Sequence, residues 1–112
     1  DSEQLFRALL NLAINAVEAA GAGGKVTISA GITENEGGGL EIKVMDSGPG
    51  IAAADLDKVF QPFFTSKKNG TGLGLSNVKK IAEAHGGSIS AGNGKNGGAV
   101  FTLRLPGGEK LA

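Results

Sequence analysis

Apolar residues in the first twenty positions recur at the spacing of a helix. Leu5, Leu9, Leu12 and Ala16 lie three or four residues apart, and further apolar side chains widen the face that they form. A helix that is apolar around most of its circumference is typical of a buried element. Gly21 follows the last apolar position and favours a helix end there. The pattern therefore predicts a first helix that is largely buried and ends at Gly21.

Four later stretches alternate between apolar and polar residues, as strands with one buried face do. They start near Val26, Leu40, Ile89 and Ala99. Between the second and third stretches, the sequence predicts a short helix, a loop rich in phenylalanine and a second long helix, at residues 52–59, 59–69 and 73–85. This order predicts an α+β fold: a two-layer α/β sandwich whose helices pack on one face of a mixed, mostly antiparallel sheet.

Length and composition narrow the possible functions. The 112 residues predict a single domain over 1–112, with a frayed tail at 106–112. Lys and Arg (11) balance Asp and Glu (11), which argues against nucleic acid or an anionic membrane as a partner. The absence of cysteine excludes a disulfide scaffold and a thiol nucleophile, and no apolar run approaches the roughly 20 residues that span a bilayer. Because the chain starts directly in helical sequence, we expect a piece of a longer protein.

The first helix carries one polar stripe in an otherwise apolar sequence. Asn11, Asn15 and Glu18 fall at i, i+4 and i+7 and therefore share a face. An ordinary solvated face explains Glu18 adequately. Two asparagines one turn apart are harder to explain in that way, because asparagine forms helix poorly and a buried amide needs hydrogen-bonding partners. Asn11 and Asn15 are therefore candidate functional residues.

An acidic residue ends the second strand on its inward face. Period-2 alternation places Asp46 on the same side as Val44. A carboxylate there is costly unless it is hydrogen-bonded or paired. Asp46 either caps the turn Ser47–Gly50 or acts as an acceptor at the floor of a pocket, and the two roles are compatible. Gly48 and Gly50 remove side chains just beyond it, as a flat ligand lying against the backbone would require.

Three glycines at every second position precede the second long helix. The backbone N–H groups bared by Gly70, Gly72 and Gly74, with the positive end of the helix dipole behind them, predict a site for phosphate or another anion. Lys67 lies just upstream with a mobile positive charge. A tight turn is the simpler explanation of an isolated run of this kind, since the spacing fits neither the dinucleotide fingerprint nor a Walker loop. The loop at 59–69 is a candidate lid over this segment.

Five segments follow one another in the order of a known set of motifs. They are an asparagine box at 11–16, a first glycine box at 46–51, a phenylalanine box at 59–67, a second glycine box at 70–76 and a late glycine turn at 97–99. In these segments the chain resembles the ATP-binding catalytic domain of bacterial sensor histidine kinases. That domain belongs to the GHKL or Bergerat-fold ATPases, which also include gyrase, the mismatch-repair ATPases and the ATP-dependent heat-shock chaperones. The resemblance extends along nearly the whole chain.

The resemblance implies a role for each candidate residue. Asp46 would accept a hydrogen bond from the adenine amino group of ATP, while Gly50, beside Gly48, lets the base approach. Asn15 would bind Mg²⁺, with Asn11 close to the same ion or to the phosphates. The phosphates would meet the second glycine box, with Lys67 adding positive charge from the loop before it. The residues expected to contact the nucleotide in this part of the chain are Lys67, Gly70, Thr71, Gly72, Leu73, Gly74 and Leu75.

One substitution separates the branches of this ATPase group. In the gyrase-like and chaperone ATPases, a glutamate one helical turn before the Mg²⁺ asparagine activates water, whereas Asn11 occupies that position here and cannot act as a base. The resemblance therefore implies transfer of the γ-phosphoryl group to a histidine on a separate dimerisation domain of the same kinase, and indirectly to a response regulator. His85, the only histidine, is more simply a capping residue at a helix end.

Further expectations follow from this assignment. The chain alone should not autophosphorylate. It should be a cytoplasmic domain without direct membrane contact, whether or not its parent protein is membrane-anchored. The residues Val17-Glu18-Ala19-Ala20 resemble the nitrogen-regulation-type branch of the kinases.

Two other functions are compatible with such a sequence. An anti-sigma-factor-type serine kinase would share the fold, but the phenylalanine box is characteristic of the histidine kinases. A non-catalytic interaction module is the second alternative, and the presence of Asn15, Asp46 and Gly72 argues against it.

Overall fold

The computed structural model describes residues 2–32, 39–62, 74–95 and 97–106. Two helices and four strands form in the predicted order. Their bounds are α1 Ser2–Ala20, β1 Val26–Ile32, β2 Leu40–Asp46, α2 Gly74–Ala84, β3 Ser88–Asn93 and β4 Ala99–Leu105. Residues 33–38, which connect β1 to β2, and residues 107–112 of the predicted tail lie outside the described residues.

The four strands form one sheet in the order β1-β2-β4-β3. Every neighbouring pair is antiparallel, and Val44 lies opposite both Ile28 and Phe101. Both helices pack on the same face of this sheet. The predicted α+β sandwich is therefore confirmed, and the described strands contain no parallel pair.

The core lies between the two helices and the inward face of the sheet. Both helices contribute small or branched apolar residues, and β2 and β4 contribute alternate residues. The buried side chains include Ala8, Leu12 and Ala16 of α1, Val78 and Ala82 of α2, and Ile42, Val44, Phe101 and Leu103 of the sheet. Small residues on α1 allow close approach to α2 and β2, so the end of α1 is held firmly against the sheet.

An apolar stripe on α1 is exposed, in contrast to the predicted burial. Phe6, Leu10, Ile14 and Val17 expose between 47% (Leu10) and 64% (Phe6) of their surface. They face away from α2 and β2, and among the described residues no element covers them. Periodicity identifies an apolar face but not whether another element lies against it. The prediction of a largely buried first helix is therefore wrong for this stripe.

The predicted short helix at 52–59 is also different in the structure. Only Ala53–Asp55 forms a helical turn, of the 3₁₀ type, and a series of tight turns follows it. Ala52 at the start offers no side chain to cap the turn. The cost of nucleating a helix is poorly offset in so short a segment. Val59 and Phe60 at its end are instead held by the core.

Candidate functional site

The two carboxylate oxygens of Asp46 have different surroundings. Asp46 is the last residue of β2, on the inward face, and exposes only 8% of its surface. Its Oδ1 accepts hydrogen bonds from the N–H of Gly48 (2.8 Å) and the N–H of Ala99 (3.3 Å). Its Oδ2 is buried and accepts no hydrogen bond from any described residue. The predicted cap on the turn after β2 is therefore confirmed, and one strong acceptor is left over.

A buried acceptor without a donor is energetically costly. Leaving such a group unpaired costs about 1–3 kcal/mol, and more for a charged group. Native proteins keep few such atoms, and those that remain often mark a site completed by a ligand or water. The Oδ2 of Asp46 is thus suited to a small molecule that presents an N–H group at this position.

The turn after β2 lies directly against the end of α1. A Cβ atom at Gly48 would collide with the backbone carbonyl of Ala19. Glycine at residue 48 is therefore required by protein backbone packing. This contact also brings the asparagine stripe of α1 toward Asp46, because Asn15 lies one helical turn before Ala19.

Gly50 has a second and independent requirement for glycine. Its φ angle is +81°, in the region that L residues avoid. A Cβ there would also collide with the carbonyl oxygen of Gly97 and lie 2.6 Å from the Oδ1 of Asn93. Gly48 and Gly50 are predicted from the sequence to leave room for a flat ligand, but contacts with the protein backbone are sufficient to explain both.

Asn93 is a functional candidate that the sequence analysis missed. It ends β3, and its carboxamide pairs with the backbone N–H and C=O of Ile51. The Oδ1 accepts from the N–H of Ile51 (2.7 Å), and the Nδ2 donates to the carbonyl of Ile51 (2.8 Å). In the sequence this asparagine is indistinguishable from an ordinary turn residue. Only the folded chain brings together two residues that are 42 positions apart.

Asn11 and Asn15 lie one turn apart on α1, and both are partly buried. Amide oxygens are suitable ligands for a hard cation that keeps water and phosphate oxygens as its other ligands. Among the described residues, no group of three or more His, Cys, Asp or Glu side chains could hold a metal ion. The donors present therefore fit an ion that arrives with a phosphate ligand better than one held by the protein alone.

Most of the predicted phosphate loop lies outside the described residues. Lys67, Gly70, Thr71, Gly72 and Leu73 belong to the undescribed segment. Of the remaining residues, Gly74 begins α2 and Leu75 packs against the core. A Cβ at Gly74 would meet no atom of the described residues within 4 Å, so packing against that part of the chain does not explain this glycine.

The start of α2 points toward the end of the sheet that holds Asp46. Gly86 lies just beyond the other end of α2, and a Cβ there would be 3.7 Å from Pro106, which follows β4. The helix of 11 residues is about 16 Å long. Its first turn therefore lies toward the opposite end of β4, where Ala99 contacts Asp46. The backbone N–H groups of a first helical turn are directed toward that end, as an anion site at a helix start requires.

His85 caps a helix end as predicted, and the start of the phenylalanine box contacts the core. The Nδ1–H of His85 donates to the carbonyl of Ile81 (2.8 Å) and thus caps the end of α2. Phe60 packs edge-to-face on Phe101, with ring centroids 6.1 Å apart. The loop predicted as a lid is therefore anchored in the core at its start, and its residues from 63 onward lie outside the described part.

This sandwich, with a buried acidic residue at the end of an inner strand and asparagines on the adjoining helix, belongs to a known class of ATPases. A family model described as "Histidine kinase-, DNA gyrase B-, and HSP90-like ATPase" matches residues 1–109. The chain is therefore a member of this family, as the resemblance predicted. The family implies ATP binding.

Within the family, the similar proteins are sensor histidine kinases. The Sensor histidine kinase ZraS of Escherichia coli K12 is 46% identical over 106 residues, which cover 95% of this chain and 22% of ZraS. The Signal transduction histidine-protein kinase AtoS of the same strain is 42% identical over 106 residues, covering 95% of this chain and 17% of AtoS. This chain thus spans about a fifth of the length of these relatives.

Solved structures show the same fold in histidine kinases. The mycobacterial sensor histidine kinase MprB has a TM-score of 0.85 at 33% identity, over 96% of this chain and 74% of that chain. The catalytic domain of histidine kinase ThkA has a TM-score of 0.84 at 41% identity, over 95% of this chain and 68% of that chain. Full-length ShkA in complex with AMPPNP has a TM-score of 0.76 at 34% identity, over 92% of this chain and 21% of that chain.

One of these kinases was also solved with a protein partner. ThkA in complex with the response regulator protein TrrA has a TM-score of 0.80 at 37% identity, over 96% of this chain and 30% of that chain.

In the part of this chain that the structure describes, neither helix has the length and hydrophobicity needed to span a membrane.

Proposed function

We propose that this chain binds ATP together with Mg²⁺ and donates the γ-phosphoryl group to a histidine on a separate dimerisation domain of its parent kinase. The family membership and the named kinases support the general assignment. The observation that carries the specific proposal is the buried, unpaired Oδ2 of Asp46.

Adenine is chemically complementary to this oxygen. Its exocyclic amino group is a hydrogen-bond donor, whereas the corresponding group of guanine or hypoxanthine is a carbonyl acceptor. The Oδ1 of Asp46 is already held by the N–H groups of Gly48 and Ala99, so the carboxylate cannot rotate freely to suit another base. A fixed acceptor of this kind favours adenine over guanine and hypoxanthine, because their carbonyl oxygen would face another acceptor.

The proposed phosphate and magnesium sites use residues near the same end of the sandwich. The first-turn N–H groups of α2 would meet the phosphates, and the amide oxygens of Asn15 and Asn11 would meet the ion. When bound, Mg²⁺ would neutralise charge on the phosphates. Because the protein supplies amides rather than carboxylates, we expect tight binding of the ion only with the nucleotide.

The proposed reaction is phosphoryl transfer rather than hydrolysis. Asn11 occupies the position from which a carboxylate would activate water, and an amide is not a base. His85 is engaged with the carbonyl of Ile81 at the end of α2, which is the opposite end from Asp46. The acceptor histidine should therefore come from outside this chain, and a response regulator would receive the group from that histidine in turn.

Calorimetric titration tests the nucleotide site. We expect saturable binding of ADP and of AMPPNP, tighter with Mg²⁺ than with EDTA. Asn15→Ala should lower that Mg²⁺-dependent gain by roughly tenfold, the equivalent of about 1.4 kcal/mol. Gln4→Ala, an exposed change at the other end of α1, should leave it unchanged. Absence of binding to the folded chain would contradict the proposal and favour a non-catalytic interaction module.

A further inference from the structure

The carboxamide of Asn93 forms a closed pair of hydrogen bonds with the backbone N–H and C=O of the distant residue Ile51. Both bonds are short, at 2.7 and 2.8 Å, and they use both polar atoms of the carboxamide. Asn93 is exposed, so water could satisfy the same groups. The need to pair buried polar atoms therefore does not explain the contact. Its effect is to fix the position of the Ile51 backbone relative to β3.

Fixing Ile51 also fixes the turn that follows Asp46. Ile51 directly follows Gly50, whose left-handed backbone lies against both Asn93 and Gly97. The side chain of Ile51 packs on the edge of the core. The far end of the turn, at Ile51, is thus held on one side by the carboxamide of Asn93 and on the other side by the core.

The connection between β3 and β4 holds the near end of the same turn. The N–H of Ala99 donates to the Oδ1 of Asp46, and a Cβ at Gly98 would collide with the carbonyl oxygen of Asp46. The connection is itself closed by a hydrogen bond from the N–H of Gly94 to the carbonyl of Gly98 (2.7 Å). The described residues of this short connection, 93–95 and 97–99, therefore support both ends of the turn at 46–51.

We propose that Asn93 is a positioning residue for adenine, which acts by clamping Ile51 so that the turn after Asp46 keeps the shape that receives the base. This inference rests on the proposed function. Asn93 does not need to touch the nucleotide. Its role is to fix the position of the Gly50 backbone relative to the free Oδ2 of Asp46. Adenine recognition requires that these two groups keep the same distance and orientation.

The test compares ADP with IDP, whose hypoxanthine carries a carbonyl in place of the adenine amino group. Wild type should bind ADP more tightly than IDP. Asn93→Ala removes both bonds to Ile51 and should weaken ADP binding about fivefold to tenfold, with a smaller loss for IDP. The ratio of the two dissociation constants should therefore fall toward one. A merely structural role would lower Tm and leave this ratio unchanged.

Two further variants sharpen the comparison. Asn93→Asp has nearly the same shape and keeps the acceptor for the Ile51 N–H, but it sets a carboxylate oxygen against the Ile51 carbonyl. We expect it to fail to restore the wild-type ratio. Ser90→Ala changes an exposed residue on the same strand, β3, and should bind both nucleotides like wild type.

Two outcomes would overturn the inference. One is an Asn93→Ala variant with the wild-type ratio, whether ADP and IDP binding are both unchanged or both weakened by the same factor. The other needs no variant: in wild type, hydrogen exchange of the Ile51 amide should be slow, and exchange at the rate of an unprotected amide would show that the clamp does not persist in solution. If wild type itself bound no ADP, the proposed function would fail first and the inference with it.

Discussion

Glycine at residue 98 supports Asp46 through backbone packing. A methyl group there would collide with the carbonyl oxygen of Asp46 and lie 3.3 Å from its Oδ1. Contacts of this kind involve backbone atoms, which cannot rotate away as the end of a flexible side chain can. The geometry of the acceptor site is therefore sensitive to one added carbon atom at a residue that contacts no ligand in the proposal.

Gly98→Ala should destabilise the chain by about 1–3 kcal/mol because of this forced overlap. Urea unfolding followed by circular dichroism measures the difference. Gly92→Ala on β3 is the matched control, since a Cβ there meets no described atom within 4 Å and its φ lies outside the left-handed region. We expect the control to keep or slightly raise stability. Equal unfolding midpoints for the two variants would show that the close contact is absent in solution.

The sequence predicted the acceptor residue but not its supports. Period-2 alternation and the cost of burying a carboxylate placed Asp46 on the inward face, and the structure agrees. The contacts of Asn93 and Gly98 depend on how the connection between β3 and β4 meets the turn after β2, which is distant in the sequence. No local pattern contains that information, so these residues required the structure.

At the scale of elements, the two faces of α1 differ in what they contact. The face with Ala8, Leu12 and Ala16 is buried against α2 and the sheet, while the stripe with Leu10 and Val17 is exposed. Both faces look equally apolar in the sequence. The sequence therefore predicted the helix correctly, and only the packing of the neighbouring elements distinguishes the face that stabilises the fold.

Val17→Lys should change the free energy of unfolding by no more than about 0.5 kcal/mol, because its side chain is 62% exposed. Leu12→Ala should cost about 2–5 kcal/mol, because Leu12 is fully buried in the core. Urea unfolding of both variants measures the difference. A loss for Val17→Lys as large as that for Leu12→Ala would mean that the stripe is covered in solution.

At the scale of the whole molecule, several elements lie close together at the end of the sandwich near Asp46. The end of β2, the start of β4 and the last turn of α1 meet there, and the first turn of α2 lies toward the same end. The order of the motifs along the chain predicted this family and fold. The mutual arrangement of these ends could not be read from periodicity, because it depends on strand order and helix direction.

The absence of a base at residue 11 should limit hydrolysis of ATP. We expect turnover of wild type with Mg²⁺ to lie well below the roughly 1 per second of slow typical enzymes, and we expect no label on the chain from γ-labelled ATP. Asn11→Glu should raise hydrolysis about tenfold or more, because it introduces a carboxylate. Asn11→Gln is the uncharged control and should not raise the rate of hydrolysis. Rapid hydrolysis by wild type would contradict the assigned reaction.

The most direct test of the central claim is the base preference of Asp46→Asn. Wild type should bind ADP more tightly than IDP, because the carboxylate Oδ2 accepts a hydrogen bond from the adenine amino group. In the variant, an amide N–H₂ at the place of Oδ2 would face the amino group of adenine but could donate to the carbonyl of hypoxanthine. Calorimetry should therefore show weaker ADP binding and a preference reversed toward IDP. An unchanged preference for ADP in the folded variant would contradict the assignment of Asp46 as the adenine acceptor.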